Sequence, residues 1–479
     1  VPAPAPAPAP VPAPAPAPAP PPATPARIEP YDDLNLRSTP ASSGAGPDTL
    51  ALPAEWVQLD PAPAPQPRAA SAAAAGGTGR MPPRQIGQAR PVGATASLAA
   101  TARRLGWRRL ADGRFAGALN LRSEGAASIR LGLLVHRLPD GAQVRVARPE
   151  GPVAATLGGR EITAALERNR RAGDTSEAGR TFWLPAIGGP DAQLQIVLPA
   201  GTAPSEVQVA VPRLSHLWVD LARSQDAFLK IGEASVCNVD ASCENAWRPE
   251  SRAVARMEYV RDGISYLCTG TLMADVAASG TPWFLSGQHC IDSQTVASTV
   301  VTYWFYRSAF CDSGTLDPSS MRLLGGATLL YASTATDTAF MRLERTPPAG
   351  VRYAGSLLSA PLAGTPVTAL HHPAGDLLKL SAGEITGTTG CAWLSEGGLS
   401  CEEPGDDFTR VRWSRGTTQG GSSGSALFQS VDGRNYLSAN LYAGSASCQA
   451  STSPDYFGRF DRPYRDALYR WLGEVPGAR

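Results

Sequence analysis

The sequence predicts an all-β protein, with two β-rich units behind a disordered leader. Three observations predict it. The first 20 residues carry Pro at every second position, the rest being Ala and Val. From about residue 105 onward, short runs alternate apolar and polar residues and are broken by turn residues, the pattern of half-buried strands. All eight Cys lie within residues 231–479, at 237, 243, 268, 290, 311, 391, 401 and 448.

Each segment follows from its residues. Pro fixes φ and has no N–H to donate, so residues 1–20 are expected to form an extended spacer. Residues 21–85 stay rich in Pro, Ala, Gly and Ser and are expected to continue the disordered tether over 1–85. Residues 86–230 hold the alternating runs Ser128–His136, Ala142–Val146, Gln193–Leu198 and Val207–Val211, which read as a sandwich-like all-β domain. His136 and His216 are isolated there and are expected to be structural. Residues 231–479 form the next unit, with strands expected at Pro282–Leu285, Val300–Tyr306 and Thr338–Leu343 and a hairpin turn at Asp432-Gly433. A C-terminal helix is expected, with Asp461 as cap, Pro463 in its first turn and Gly473 as its stop.

Charge and composition narrow the function. The 479 residues carry a net charge of +1, which leaves no overall basic footprint for nucleic acid. No apolar run is long enough to span a membrane. The balance conceals an asymmetry: residues 1–230 have 24 Lys+Arg against 18 Asp+Glu, and residues 231–479 have 19 against 24. Opposite net charges favour docking of the first unit on the second. An even Cys count confined to one unit reads as up to four disulfides and an oxidising, extracellular compartment. The chain opens Val1-Pro2, so a signal peptide is expected to be missing from this numbering.

Chemistry concentrates in Thr417-Thr418-Gln419-Gly420-Gly421-Ser422-Ser423-Gly424-Ser425. Glycines let a substrate backbone approach, and successive N–H groups can form an oxyanion hole. A serine nucleophile needs a base. This unit offers His289, His371 and His372. His289 precedes Cys290 at the end of an apolar strand, and Asp337 opens another strand where a carboxylate can turn inward. Gly420-Gly421-Ser422-Ser423-Gly424 also fits the nucleophile elbow of α/β-hydrolases, with Ser422 as nucleophile, but that fold requires a later His and none follows residue 372. The order His289, Asp337, Ser423 is that of chymotrypsin-like proteases.

Residues 237–472 resemble the bacterial lysyl endopeptidase family. The resemblance is carried by Cys237-Asn238-Val239-Asp240, Cys268-Thr269-Gly270-Thr271-Leu272, His289-Cys290, Tyr303-Trp304-Phe305-Tyr306, His371-His372-Pro373, Gly421-Ser422-Ser423-Gly424-Ser425 and Asp455-Tyr456-Phe457-Gly458-Arg459. It implies a chymotrypsin-like pair of antiparallel β-barrels. His289 would be the general base, Asp337 its orienter and Ser423 the nucleophile, with the N–H groups of Gly421 and Ser423 as the oxyanion hole. It implies disulfides Cys237–Cys448, Cys243–Cys311 and Cys268–Cys290. Cys391 and Cys401 remain and are expected to close a fourth. The family's pocket carboxylate falls at Asp455, and Thr417 stands six residues before the nucleophile, where trypsin-type enzymes have Asp. Trp393 matches a family Trp that stacks on a His, whose position Tyr442 occupies here. Ser422 stands where most chymotrypsin relatives have an Asp that pairs with the new N-terminus, so that form of activation is not expected.

The expected protein is therefore a secreted serine endopeptidase made as a precursor. It would hydrolyse polypeptides after Lys, with the first β-rich unit acting as a prodomain that inhibits the enzyme or aids its folding. A monomer is expected, with no cofactor and no metal; His371 and His372 lack an obvious third ligand. Only Lys230 and Lys379 occur against 41 Arg, and Lys230 sits at the junction of the units, which makes Lys230–Ile231 the expected processing bond. Competing readings are an inactive protease-fold binding protein, an Arg-specific or mixed protease, and a β-sandwich retained as a surface-binding module.

Overall fold

A computed structural model describes residues 25–32, 52–61, 83–220, 233–393 and 399–478. The expected polyproline spacer and the Lys230–Ile231 bond lie outside the described residues.

In the first unit the central strands are buried along both faces, while edge strands such as Glu55–Leu59 and Val153–Gly158 bury alternate residues. One sheet orders Val153–Gly158, Gln143–Ala147, Asp191–Leu198, Phe115–Ser123 and Glu55–Leu59; the other orders Thr181–Trp183, Ser128–Arg137, Gln208–Leu217 and Gly87–Pro91. Leu119, Leu121, Ile129, Leu131, Leu194 and Ile196 fill the space between them. A helix absent from the sequence expectation, Gly159–Arg171, buries Ile162 and Ala165. The unit is thus a sandwich with a packed helix rather than strands alone. His136 is exposed, and His216 is buried with Nδ1 2.8 Å from Ser123 Oγ.

The second unit has two antiparallel layers. Its first sheet orders Met321–Leu323, Val301–Trp304, Val254–Arg261, Ile264–Met273, Trp283–Gly287, Thr338–Leu343 and Ala327–Ser333. The other closes on itself: Pro366–His371, Lys379–Trp393, Leu399–Arg415, Asp455–Arg459, Arg434–Gly444 and Ala426–Val431 each pair with the next, and the last with the first. Closure removes the unpaired edges an open sheet would expose. Asp432 and Gly433 turn the hairpin with φ of 51° and 73°, the left-handed pair such turns need. The fold is all-β, as the alternation indicated. All four disulfides form between the expected partners, including Cys391–Cys401.

Two expectations are corrected. Asp461 does not cap the C-terminal helix. Its carboxylate instead binds Arg459 and Arg465, and the helix passes through a π-turn at Tyr464–Leu468 before Gly473 ends it. The leader is not disordered throughout. Arg27–Ile28 pairs with Gly355–Leu357, Tyr31–Asp32 pairs with Arg352–Tyr353, and Arg84–Gln85 adds to Ile264–Met273. Ile28 is 2% exposed and belongs to the core of the second unit. Glu29 accepts from Arg434 and from the Tyr436 hydroxyl, each at 2.8 Å. Glu55–Leu59 instead joins the first unit, parallel to Phe115–Ser123. The Pro/Ala-rich composition hides these short pieces because each supplies only a few apolar residues to cores formed elsewhere.

The units meet on the first sheet of the second one. Arg130 is buried there. Its guanidinium donates to Leu184 O at 2.9 Å, to Glu258 Oε1 at 2.8 Å and to Thr299 O at 2.7 Å. Glu258 also accepts from Tyr303 Oη at 2.9 Å. Arg345–Glu161 and Arg168–Glu344 ion pairs lie at the same junction, so charges of both signs cross it in both directions.

Candidate active site

Trp283–Gly287 ends in a turn that carries His289, and the Cys268–Cys290 disulfide ties that turn to a neighbouring strand. Arg261 donates to His289 O at 3.0 Å and Cys290 O at 2.9 Å. Asp337 precedes Thr338–Leu343 with φ of 47°. Left-handed backbone is costly for a non-glycine residue, though Asp tolerates it better than most. Here Gln288 N–H and Asn440 Nδ2–H both donate to Asp337 O, at 3.0 and 2.8 Å. The turn aims the Asp337 carboxylate back at the histidine. Oδ2 lies 2.7 Å from His289 Nδ1, and Oδ1 accepts the His289 backbone N–H at 2.8 Å. The pair is buried, with side chains 3% and 1% exposed.

The serine loop is packed onto this pair through glycine contacts. A Cβ on Gly287 would fall 2.8 Å from Asp337 Oδ2 and 2.9 Å from His289 Cε1, and a Cβ on Gly424 would fall 2.6 Å from Gly287 N. Neither position can carry a side chain without displacing the histidine or the loop. Ser423 O accepts from Thr269 N–H at 2.9 Å, fixing the loop against the first sheet. Gly421 has φ of +103°, and a Cβ there would fall 2.8 Å from His372 O.

The neighbouring serine is committed elsewhere. Ser422 Oγ accepts from Gln419 N–H at 3.2 Å and lies 2.8 Å from His371 Nδ1. His371 Nε2 lies 3.0 Å from Ser381 Oγ, which donates to Thr417 O at 3.0 Å. Burial pushes the His371 pKa down to about 3, so the ring is neutral and both its nitrogens are used by hydroxyls. His372 Nδ1 lies 2.9 Å from Asp376 O, and burial likewise pushes its pKa down to about 3.

Asp455 is fully buried at the start of Asp455–Arg459. Its Oδ2 accepts from Trp413 Nε1 and Thr418 Oγ1, each at 2.6 Å, and Oδ1 accepts from Ala446 N–H at 3.2 Å. Burial pushes its pKa up to about 6 against the pull of these donors. Trp413 and Thr418 had no signal in the sequence, because they reach Asp455 across 42 and 37 residues. Tyr442 stands beside the histidine: its ring is 5.9 Å from His289 and stacks on Phe408 at 5.0 Å. Trp393 ends Lys379–Trp393 and stands opposite Leu399.

Comparison with known proteins follows the same division. Residues 58–218 match the family described as lysyl endopeptidase N-terminal domain, and residues 231–458 match its C-terminal domain. A lysyl endopeptidase of Pseudomonas aeruginosa is 33% identical over 378 residues, spanning 75% of this chain and 76% of that protein. This chain belongs to the lysyl endopeptidase family. As a member of that family it is a serine endopeptidase. Among solved structures, the MamO protease domain from Magnetospirillum magneticum aligns over 46% of this chain and 98% of its own at 8% identity and a TM-score of 0.31. The HtrA-type protease AlgW aligns over 47% and 62% at 17% identity and a TM-score of 0.32. These scores are too low to add to the assignment, which rests on the sequence matches.

Proposed function

We propose that this lysyl endopeptidase relative is a secreted protease that cleaves after Lys through an acyl-enzyme formed on Ser423. The buried contact of His289 with Asp337 is the observation that carries the reading. A carboxylate at Nδ1 orients the ring, leaves Nε2 to act as the base, and stabilises the imidazolium once a proton is taken. Ser423 Oγ attacks the scissile carbonyl carbon as its proton passes to His289 Nε2. The N–H groups of Gly421 and Ser423 receive the oxyanion, and the imidazolium returns the proton to the leaving amine. Water then repeats the sequence on the ester.

Asp455 supplies the pocket charge. A buried carboxylate is stable when a cation meets it, and a lysine ammonium brings one. The four disulfides favour an extracellular setting. Residues 86–230 act in this reading as a prodomain, an inhibitor or folding aid, and the buried Arg130–Glu258 pair supports a specific docking rather than a loose tether. Processing falls at Lys230–Ile231 and is done by the enzyme itself.

One experiment tests specificity and processing together. The secreted wild type digests an unrelated denatured protein, the new N-termini are sequenced, and the mature N-terminus is determined. Cleavage after Lys and a chain beginning at Ile231 are expected, while Lys230→Gln and Ser423→Ala accumulate uncut. Products cut mainly after Arg would refute the lysine assignment.

A further inference from the structure

The two oxygens of Asp455 are not equivalent. Oδ2 takes two short side-chain hydrogen bonds, from Trp413 Nε1 and Thr418 Oγ1, while Oδ1 takes only the longer one from Ala446 N–H. A carboxylate has about four acceptor positions, two on each oxygen. Oδ2 is therefore full, and one position is left on Oδ1. Gly444 is what lets that oxygen sit close against the neighbouring strand: a Cβ there would lie 1.8 Å from Oδ1. Trp413 cannot easily turn away, since its indole packs edge-on against Phe457 with centroids 6.0 Å apart.

That asymmetry bears on which cation can bind. Guanidinium recognises a carboxylate best as a fork, with two parallel N–H groups meeting two oxygens. An ammonium is a compact charge and needs one oxygen at a time. We propose that Trp413 and Thr418 determine specificity by occupying Oδ2, which leaves a single acceptor that serves a lysine ammonium and denies a guanidinium its fork. The inference rests on Asp455 being the base of the substrate pocket. Trp413 and Thr418 act through Asp455 and are positioning residues. They also hold its charge, because their hydrogen bonds favour the ionised carboxylate against the effect of burial.

The test compares kcat/KM for matched peptides ending in Lys or Arg. It uses processed wild type, Thr418→Val, Thr418→Ser and Trp413→Phe, with processing supplied in trans by wild type where a variant does not mature itself. Val keeps the shape of Thr without the donor, and Ser keeps the donor. The Lys-to-Arg ratio should fall about tenfold or more in Thr418→Val and Trp413→Phe, chiefly because KM for the Arg peptide drops. Thr418→Ser should keep the wild-type ratio. In Thr418→Val the acid limb of KM for the Lys peptide should move to higher pH, since the carboxylate has lost a donor. If wild type prefers Lys and both donor-less variants keep its ratio and its pH limb, the inference is overturned while Asp455 stands as the pocket base. If wild type does not prefer Lys, the pocket reading itself fails and takes this inference with it. Should Thr418→Val not be recovered folded, Trp413→Phe and Thr418→Ala carry the same comparison.

Discussion

Of the three buried histidines of the second unit, His289 and His371 differ in what surrounds the ring, and those surroundings separate their roles. Behind His289 stands a carboxylate, Asp337, on Nδ1 at 2.7 Å. Both ring nitrogens of His371 meet hydroxyls, Ser422 and Ser381, and burial, helped by the Lys379 cation, pushes its pKa down to about 3. A base must become a cation during the reaction. Only the first site has a group that welcomes the cation; the second is a neutral strut that fixes the loop. An imidazole near a serine is therefore no evidence of catalysis until the far side of the ring is known.

The comparison predicts a steep order of effects. Ser423→Ala should lower kcat by about 10⁶-fold, measured on a Lys peptide with active-site titration, whereas Ser422→Ala should stay within about tenfold of wild type. The reverse pattern would exchange the two serines. Asp337→Asn should cost about 10⁴-fold in kcat, because the amide favours the wrong tautomer of His289. A loss no larger than that of His371→Gln would erase the distinction between the sites.

A smaller effect tests Asp455. Burial pushes its pKa up to about 6, so the proposed pocket would lose its charge as pH falls through that value. KM for a Lys peptide should then rise, approaching about tenfold per pH unit well below it. Asp455→Asn should show a high KM with no such limb. The smallest effect should be that of His371→Gln, expected to keep kcat within about tenfold while lowering stability by about 1–3 kcal/mol through unpaired hydroxyls. Urea unfolding with activity measured on the same sample separates the two.

Legibility in the sequence followed the range of the interactions. Strands such as Thr338–Leu343 announce themselves because period-two alternation is local. Asp337, His289 and Ser423 are singled out through their order and the family motifs around them, and the structure brings the first two into contact. Arg27–Ile28 was missed because its strand partner, Gly355–Leu357, lies more than three hundred residues away, and two residues carry no periodicity. Gly159–Arg171 was missed because its buried stripe is thin, resting on Ile162, Ala165 and Asn169. Thr418 and Trp413 are ordinary residues of a loop and a strand until the closed sheet brings Asp455 between them.

The clasp of the leader on the second unit changes what a cut near residue 230 accomplishes. Such a cut would leave two chains still joined at several separated places, among them Ile28 with its flanking ion pairs, the Arg84–Gln85 strand, and Arg130 with Glu258. Each contact keeps the others at high effective concentration, so release requires all to open together and is slower than from any one alone. Hydrolysis of one peptide bond would then yield a multivalent complex. The clock for its dissociation would be set by avidity rather than by the cut.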